Sequence, residues 1–156
     1  MWQIGNHRIE LGLGLWQKYP YRCLVDLATQ AEDAGYDVLW CGNEKFYRDM
    51  WVMAGLVAAH IKQARIGTFI AEPYSYHPAM MAAAIATLDE ATNGRAILLL
   101  GAGGVGFREM GITRDRPVRA VEDAIKIIRA MLRGEPATLE DSVIEAHGAR
   151  LAFEAR

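Results

Sequence analysis

The chain has 156 residues, of which 52% are hydrophobic and 23% charged, and its formal net charge is −2. This length supports one good hydrophobic core, and the composition is that of an ordinary soluble globular protein. General binding to nucleic acid or to anionic membranes needs a basic surface, which a slightly acidic chain lacks. We therefore expect a small-molecule substrate, with no nucleic acid and no membrane as partners.

Two cysteines, Cys23 and Cys41, stand alone, without the spacing of a metal site or of a disulfide scaffold. We therefore predict no metal site and a cytoplasmic location. Cys41 ends an apolar strand, so a buried thiol is favoured there over a redox-active one. The longest apolar stretch, Pro78 to Leu88, is far shorter than the ~20 residues of a membrane span.

Four strand-then-helix units follow one another along the chain. The predicted strands cover residues 8–15, 36–41, 64–71 and 95–100, and the predicted helices 22–34, 48–62, 78–93 and 117–133. The strands begin at a step of about 28 to 30 residues, which is typical of parallel βα repeats. Parallel strands that follow one another in the order of the chain, without a reversal of strand order, favour one α/β fold over another. The favoured fold is a parallel (β/α)8 barrel of the TIM type, rather than an open sheet.

The repeating strand-then-helix pattern stops after Gly134. Residues 138–145 and 149–153 are predicted to form a β-hairpin joined through His147-Gly148. Residues 1–136 then form the N-terminal half of a (β/α)8 barrel, and residues 137–156 a hairpin insertion. Half a barrel leaves edge strands and an apolar face uncovered. The chain is therefore either a fragment or closes by pairing, as a homo-oligomer or with a complementary half-barrel chain.

Polar residues follow the second predicted strand. Asn43 and Glu44 stand at its carboxyl end, where side chains point into the mouth of a barrel and ligands bind. For the residues beyond them we keep a structural alternative, in which Asp49 caps the next helix while Lys45 and Arg48 are solvated.

The loop after the third strand holds Glu72, Tyr74, Tyr76 and His77 within six residues. His77 could act as a general acid/base or donate to a phosphate. Equally, His77 could start the next helix by bonding backbone groups. Trp16 ends the first strand and could face the same mouth.

The glycine-rich run from Gly101 to Gly106 follows the fourth strand and superficially fits a dinucleotide-binding fingerprint. A true fingerprint needs a helix that opens directly after the glycines, whereas the next predicted helix begins at Pro117. Close approach of a planar ligand to bare backbone suits these glycines better.

Taken together and in this order, several segments resemble the bacterial-luciferase-like superfamily of flavin- and deazaflavin-dependent oxidoreductases, in particular the branch that contains methylenetetrahydromethanopterin reductase. The resemblance covers nearly the whole chain but only the N-terminal half of the family's barrel. The segments are Glu32-Asp-Ala-Gly-Tyr-Asp-Val-Leu-Trp40, Phe46-Tyr-Arg-Asp49, Arg65-Ile-Gly-Thr68, Pro73-Tyr74, His77-Pro-Ala79, Ala86-Thr-Leu-Asp-Glu90, Gly94-Arg95 and Gly101-Ala-Gly-Gly104.

The resemblance implies a barrel that carries a cofactor ring across the carboxyl ends of its strands. The cofactor would be the 8-hydroxy-5-deazaflavin coenzyme F420 or FMN, and the reaction hydride transfer, with oxygen activation in a flavin-dependent monooxygenase. A bulge at Phe69-Ile70, often with a non-proline cis peptide, would back the ring. The implied cofactor-binding residues are Asn43, Phe69, Ile70, Gly101, Ala102, Gly103 and Gly104.

Three further residues complete the predicted site: Glu44 as the catalytic residue, and Trp16 and His77 as substrate-binding residues. The late strands that hold the phosphate end of the cofactor in this family lie beyond this chain. The parent protein is therefore predicted to be an oxidoreductase or monooxygenase, whereas this chain alone is predicted to be inactive. The alternative is a non-catalytic half-barrel binding or assembly protein, or an inactive fragment.

Overall fold

A computed structural model of the protein describes residues 2–155. Its eight strands and four helices follow one another along these residues. In chain order they are β1 (Trp2–Ile4), β2 (His7–Ile9), β3 (Gly12–Leu15), α1 (Tyr21–Asp33), β4 (Val38–Gly42), α2 (Met50–Ala58), β5 (Arg65–Phe69), α3 (Pro78–Thr92), β6 (Ala96–Ile97), α4 (Pro117–Leu132), β7 (Ala137–Leu139) and β8 (Ala146–Ala149).

Strands β3, β4, β5 and β6 form a parallel sheet in that order, each joined to the next by a helix. Leu15, Leu39 and Ile66 are buried and share one core cluster with side chains of the helices. The α/β class and the parallel βα order predicted from the sequence are therefore confirmed.

A tryptophan fills the other face of this sheet. A Cβ on Gly67 would lie 2.4 Å from Trp40 Cζ3, and one on Gly12 would lie 2.7 Å from Trp40 Nε1. Both glycines stand on strands that flank Trp40. The indole can therefore lie across its neighbours only because they carry no side chain.

The predicted start of the first parallel strand, which was expected to cover residues 8–15, is wrong. The parallel strand β3 starts at Gly12, and β2 instead pairs antiparallel with β1. Gly5, at φ +59°, lies in the turn between β1 and β2. A hairpin closed by a left-handed glycine uses local pairing, which a periodicity of apolar residues does not reveal.

The C-terminal hairpin is present, but its predicted turn is misplaced. His147 and Gly148 lie within β8, and the chain reverses over residues 140–145 instead. The buried carboxylate of Asp123, on α4, accepts hydrogen bonds from the amides of Val143 (3.1 Å) and Ile144 (3.5 Å). This tertiary contact holds the reversal where the sequence predicted a strand.

Helices α1, α3 and α4 match their predicted spans to within one residue at each end, whereas α2 is shorter than residues 48–62. It ends at Ala58, and the amides of Lys62, Gln63 and Ala64 beyond it donate to the Glu32 carboxylate at 2.7–2.9 Å instead of to helix carbonyls. Across residues 2–155, no helix is long and apolar enough to cross a membrane.

The side chain of Cys41 is fully buried in β4, and this burial raises the pKa of its thiol to about 12. A thiol that stays protonated is a poor nucleophile. The structure thus supports the prediction that Cys41 is a buried thiol rather than a redox-active one.

Candidate functional site

The loops that follow the four parallel strands meet around a cavity of about 310 Å³. Each loop contributes, because the carboxyl ends of parallel strands lie at one edge of the sheet. All lining residues except Lys45, Glu72 and Val105 belong to the site predicted from the sequence. The lining residues are Trp16, Asn43, Glu44, Lys45, Phe69, Ile70, Glu72, Gly103, Gly104 and Val105.

One wall of the cavity is the segment Phe69-Ile70, whose peptide bond is cis, as the resemblance implied. Asn43 holds this segment at two points. Its side-chain amide donates to the Ile70 carbonyl at 2.8 Å, and its backbone N–H donates to the Phe69 carbonyl at 3.0 Å. Asn43 therefore fixes the wall rather than projecting freely into the cavity.

The opposite wall is the glycine loop, and its two central glycines differ. A Cβ on Gly104 would meet no atom within 4 Å, so bare backbone faces open space beside the cavity. Gly103 has φ +66°, and a Cβ there would lie 2.8 Å from the ring of Phe107. Gly101 and Ala102 stand behind the lining, where a Cβ on Gly101 would lie 2.5 Å from Ile70 Cδ1.

A buried ion pair borders the cavity, and the sequence reasoning missed it. Lys45 Nζ lies 2.6 Å from Glu72 Oε1, with the two side chains only 12% and 2% exposed. The expectation that Lys45 is solvated is therefore wrong. The signal that could have found the pair is strand register: Gly42 pairs with Phe69, and each partner of the ion pair lies three residues beyond.

The Glu72 carboxylate also organises its own loop. It accepts hydrogen bonds from the amides of Tyr74 (2.8 Å) and Ser75 (3.1 Å) and from the Ser75 hydroxyl. These bonds fix the position of the carboxylate relative to the backbone of its own loop.

The other charged residues of the β4 loop have structural partners. Asp49 caps α2 by accepting the amide hydrogen of Val52 at 2.9 Å, which confirms its predicted capping role. Arg48 donates to the carbonyls of Gln17 and Lys18, both at 3.1 Å. Although exposed, it is therefore not merely solvated, since it ties the β3 loop to the β4 loop.

Glu44 differs from these neighbours. It is partly buried at the rim of the cavity, and no group within residues 2–155 forms a hydrogen bond or ion pair with its carboxylate. It is thus the carboxylate at this site that remains available to a ligand.

His77 lies apart from the cavity, as the N-cap of α3. Its Nδ1 accepts the amide hydrogen of Ala79 at 3.1 Å, which leaves Nε2–H to donate to the carbonyl of Glu145 at 2.9 Å. Both ring nitrogens are therefore engaged by backbone groups. This geometry favours the helix-start alternative for His77.

Comparison with known proteins identifies the family. The family model described as luciferase-like monooxygenase matches residues 5–155. The chain belongs to the luciferase-like monooxygenase family. This agrees with the resemblance drawn from the loops that follow β4, β5 and β6.

Among relatives within this family, 5,10-methylenetetrahydromethanopterin reductase of Archaeoglobus fulgidus is 33% identical over 125 residues, covering 80% of this chain and 38% of the relative. F420-dependent glucose-6-phosphate dehydrogenase of Amycolatopsis mediterranei is 29% identical over 150 residues, covering 86% of this chain and 45% of the relative. The chain therefore spans less than half the length of these curated relatives.

Solved structures give the same fold. The coenzyme F420-dependent tetrahydromethanopterin reductase of Methanopyrus kandleri superposes with a TM-score of 0.87 at 24% identity, covering 96% of this chain and 47% of that one. The oxygenating constituent of a Pseudomonas putida diketocamphane monooxygenase, in complex with FMN, gives 0.76 at 18% identity, covering 89% and 44%. These luciferase-like enzymes are TIM barrels, which confirms the predicted fold class.

Proposed function

We propose that the full-length protein is an oxidoreductase or monooxygenase that transfers hydride between a small-molecule substrate and the ring of F420 or FMN. The cavity walled by Phe69-Ile70 and by Gly103-Gly104 is the observation that carries this proposal. Relatives that depend on F420, and a structural neighbour that binds FMN, support these two cofactors over other redox groups.

The cavity fits a planar ring rather than a whole coenzyme. Its volume of about 310 Å³ lies at the low end of the roughly 300–1,000 Å³ of ligand pockets. Trp16, Phe69 and Val105 are exposed apolar side chains of the lining, and the backbone of Gly104 borders open space. Apolar walls with bare backbone suit a flat aromatic group, so the residues present fit the ring.

The bound ring would supply the hydride chemistry, while this chain orients the ring and controls its surroundings. Phe69 and Ile70 support one side of the ring, held in place by Asn43. Trp16 shields the rim from water. Glu44, with its unpartnered carboxylate, would hold or move the proton that accompanies hydride transfer.

We further propose that the inner face of the sheet is covered by another part of the barrel. Phe69 is 49% exposed and Leu99 37% exposed, so apolar area remains open there. Covering such a face stabilises a protein because apolar surface leaves water. The cover would be the second half of the barrel, a complementary half-barrel chain or a second copy in a homo-oligomer.

Titration of the purified full-length protein with F420 and with FMN, followed by cofactor fluorescence, tests the proposed function. Saturable binding of one of them is expected. In Gly104→Val the added side chain should enter the cavity and weaken binding by about 5- to 150-fold. Gly55→Val is the matched control, since a Cβ there also meets nothing within 4 Å but lies on α2. Absence of binding, or equal loss in both variants, would overturn the proposal.

A further inference from the structure

The Lys45–Glu72 ion pair connects two of the loops that line the cavity. An ammonium group has three hydrogens to donate, and Lys45 Nζ has an acceptor for each. These are Glu72 Oε1 at 2.6 Å, Ser75 Oγ at 2.9 Å and Asn43 Oδ1 at 3.4 Å. Because its donors are used within the protein, Lys45 is not a free cation for a substrate.

The glycine loop packs against both members of this pair. Lys45 Nζ lies 5.8 Å from the centre of the Phe107 ring. A Cβ on Gly106 would lie 2.5 Å from Lys45 Cβ, and one on Gly103 would lie 3.0 Å from Glu72 Cγ. The pair therefore contacts the loop after β6 as well as those after β4 and β5.

Stability alone does not account for such a pair. Removing two charges from water is costly, and well-packed apolar side chains are often as stabilising as a buried ion pair. Directional bonds differ from apolar contacts in that they fix distances between the groups they join. At this place the joined groups are Asn43, which holds the Phe69-Ile70 wall, and Ser75 of the β5 loop.

We propose that Lys45 and Glu72 are positioning residues that set the spacing between the two walls of the cavity. Lys45 acts through Asn43 on the Phe69-Ile70 wall, and both partners act through their contacts with Gly103 and Phe107 on the glycine wall. The proposal rests on the proposed function insofar as the walls hold a cofactor ring. The coupling of the loops is a property of the ligand-free protein.

Amide hydrogen exchange of the ligand-free full-length protein tests the coupling without a cofactor. Lys45→Met should raise exchange in residues 43–47 and also in residues 103–107, although the substitution lies in only one of these loops. Glu32→Gln is the control, because Glu32, like Glu72, accepts hydrogen bonds from backbone amides but lies at the opposite end of the sheet. Faster exchange confined to residues 43–47, or equal effects in both variants, would overturn the proposal.

Cofactor titration separates positioning from stability. The double variant Lys45→Met/Glu72→Gln leaves no unpaired buried charge and keeps a side-chain oxygen for the amides of Tyr74 and Ser75. It should therefore unfold at a temperature close to that of the parent. It should nevertheless bind the cofactor about 10- to 100-fold more weakly, because the walls lose their fixed spacing. Lys45→Arg, which keeps a charge for Glu72, should restore part of the affinity.

Parent-like affinity in the double variant would overturn the positioning role. Failure of the parent itself to bind F420 or FMN would instead overturn the proposed function, and the exchange experiment would still decide whether the loops are coupled. The two failures are therefore distinguishable.

Discussion

The two ends of the parallel sheet differ, because some polar groups at the carboxyl end lack a partner although the Lys45–Glu72 pair there is fully bonded. At the amino end, the Glu32 carboxylate accepts three successive backbone amides, and Arg95 donates to the carbonyls of Ala64 and Ile61. At the carboxyl end, Glu44 has no partner within residues 2–155, and the Gln17 amide is 1% exposed with neither its oxygen nor its nitrogen bonded there.

This difference suggests that the amino end of the sheet contributes to stability and the carboxyl end to ligand binding. Buried polar groups without partners reduce stability, so proteins keep few of them outside functional sites. In TIM barrels the carboxyl end carries the active site and the amino end carries stability. The amino end of this sheet is accordingly closed by its own hydrogen bonds, whereas the carboxyl end leaves the Glu44 carboxylate without a partner within residues 2–155, as the proposed ligand site requires.

Replacement of Glu44 should have the largest effect and tests the open end directly. If Glu44 takes part in proton transfer as proposed, Glu44→Gln should lower turnover of the full-length protein by about 10²–10⁴-fold. Cofactor affinity should stay near that of the parent because the shape of the cavity is kept. Steady-state kinetics and titration measure the two quantities. Turnover within a few-fold of the parent would leave Glu44 as a polar wall residue only.

The two glycines of the carboxyl end should separate folding from binding. Gly103→Val places a Cβ 2.8 Å from Phe107 at a φ of +66°, so the free energy of unfolding should fall. We expect a loss of about 2–4 kcal/mol, measured by urea denaturation. Gly104→Val should change it by less than about 0.5 kcal/mol. Equal losses in the two variants would contradict the geometry of this loop.

Glu32→Gln should act on stability alone. Burial opposes the charge of Glu32, but the backbone amides of Ala64, Gln63 and Lys62, helped by Arg95, outweigh burial and lower its pKa. A depressed carboxyl pKa stabilises the fold above its unfolded value of about 4.3 and ceases to do so as the pH falls through the lower folded value.

At pH 7 the variant should therefore lose about 1–2 kcal/mol of unfolding free energy relative to the parent. The gap should narrow in denaturation experiments as the pH falls below the unfolded value of about 4.3 and through the lowered pKa of Glu32 in the folded parent. A gap that widens on acidification would show that the pKa of Glu32 is raised in the folded state.

The last prediction is that the thiol of Cys41 does not react with an alkylating reagent in the folded protein. Cys23 is exposed, whereas Cys41 is buried and its pKa is raised to about 12. An alkylating reagent at pH 8 should label Cys23 in the folded protein and reach Cys41 only in denaturant, as peptide mass spectrometry can show. Cys23→Ser is the control in which native labelling should vanish. Native labelling of Cys41 at the rate of Cys23 would contradict the packing of β4.

The sequence predicted the four βα units because their apolar runs and helix ends are local features. It also predicted most of the cavity lining, since side chains just beyond parallel strands share one edge of the sheet. It missed what depends on partners distant in sequence. The Lys45–Glu72 pair follows from the register of Gly42 against Phe69, and the position of the C-terminal turn follows from Asp123.

We propose that the carboxyl end of this sheet holds the cofactor ring, and a crystal structure of the full-length protein with bound F420 or FMN can decide this. We expect the ring to lie between the Phe69-Ile70 segment and the Gly103-Gly104 backbone, with Glu44 beside it. A ring bound elsewhere, or without contact to these two segments, would show that the cavity is not the cofactor site.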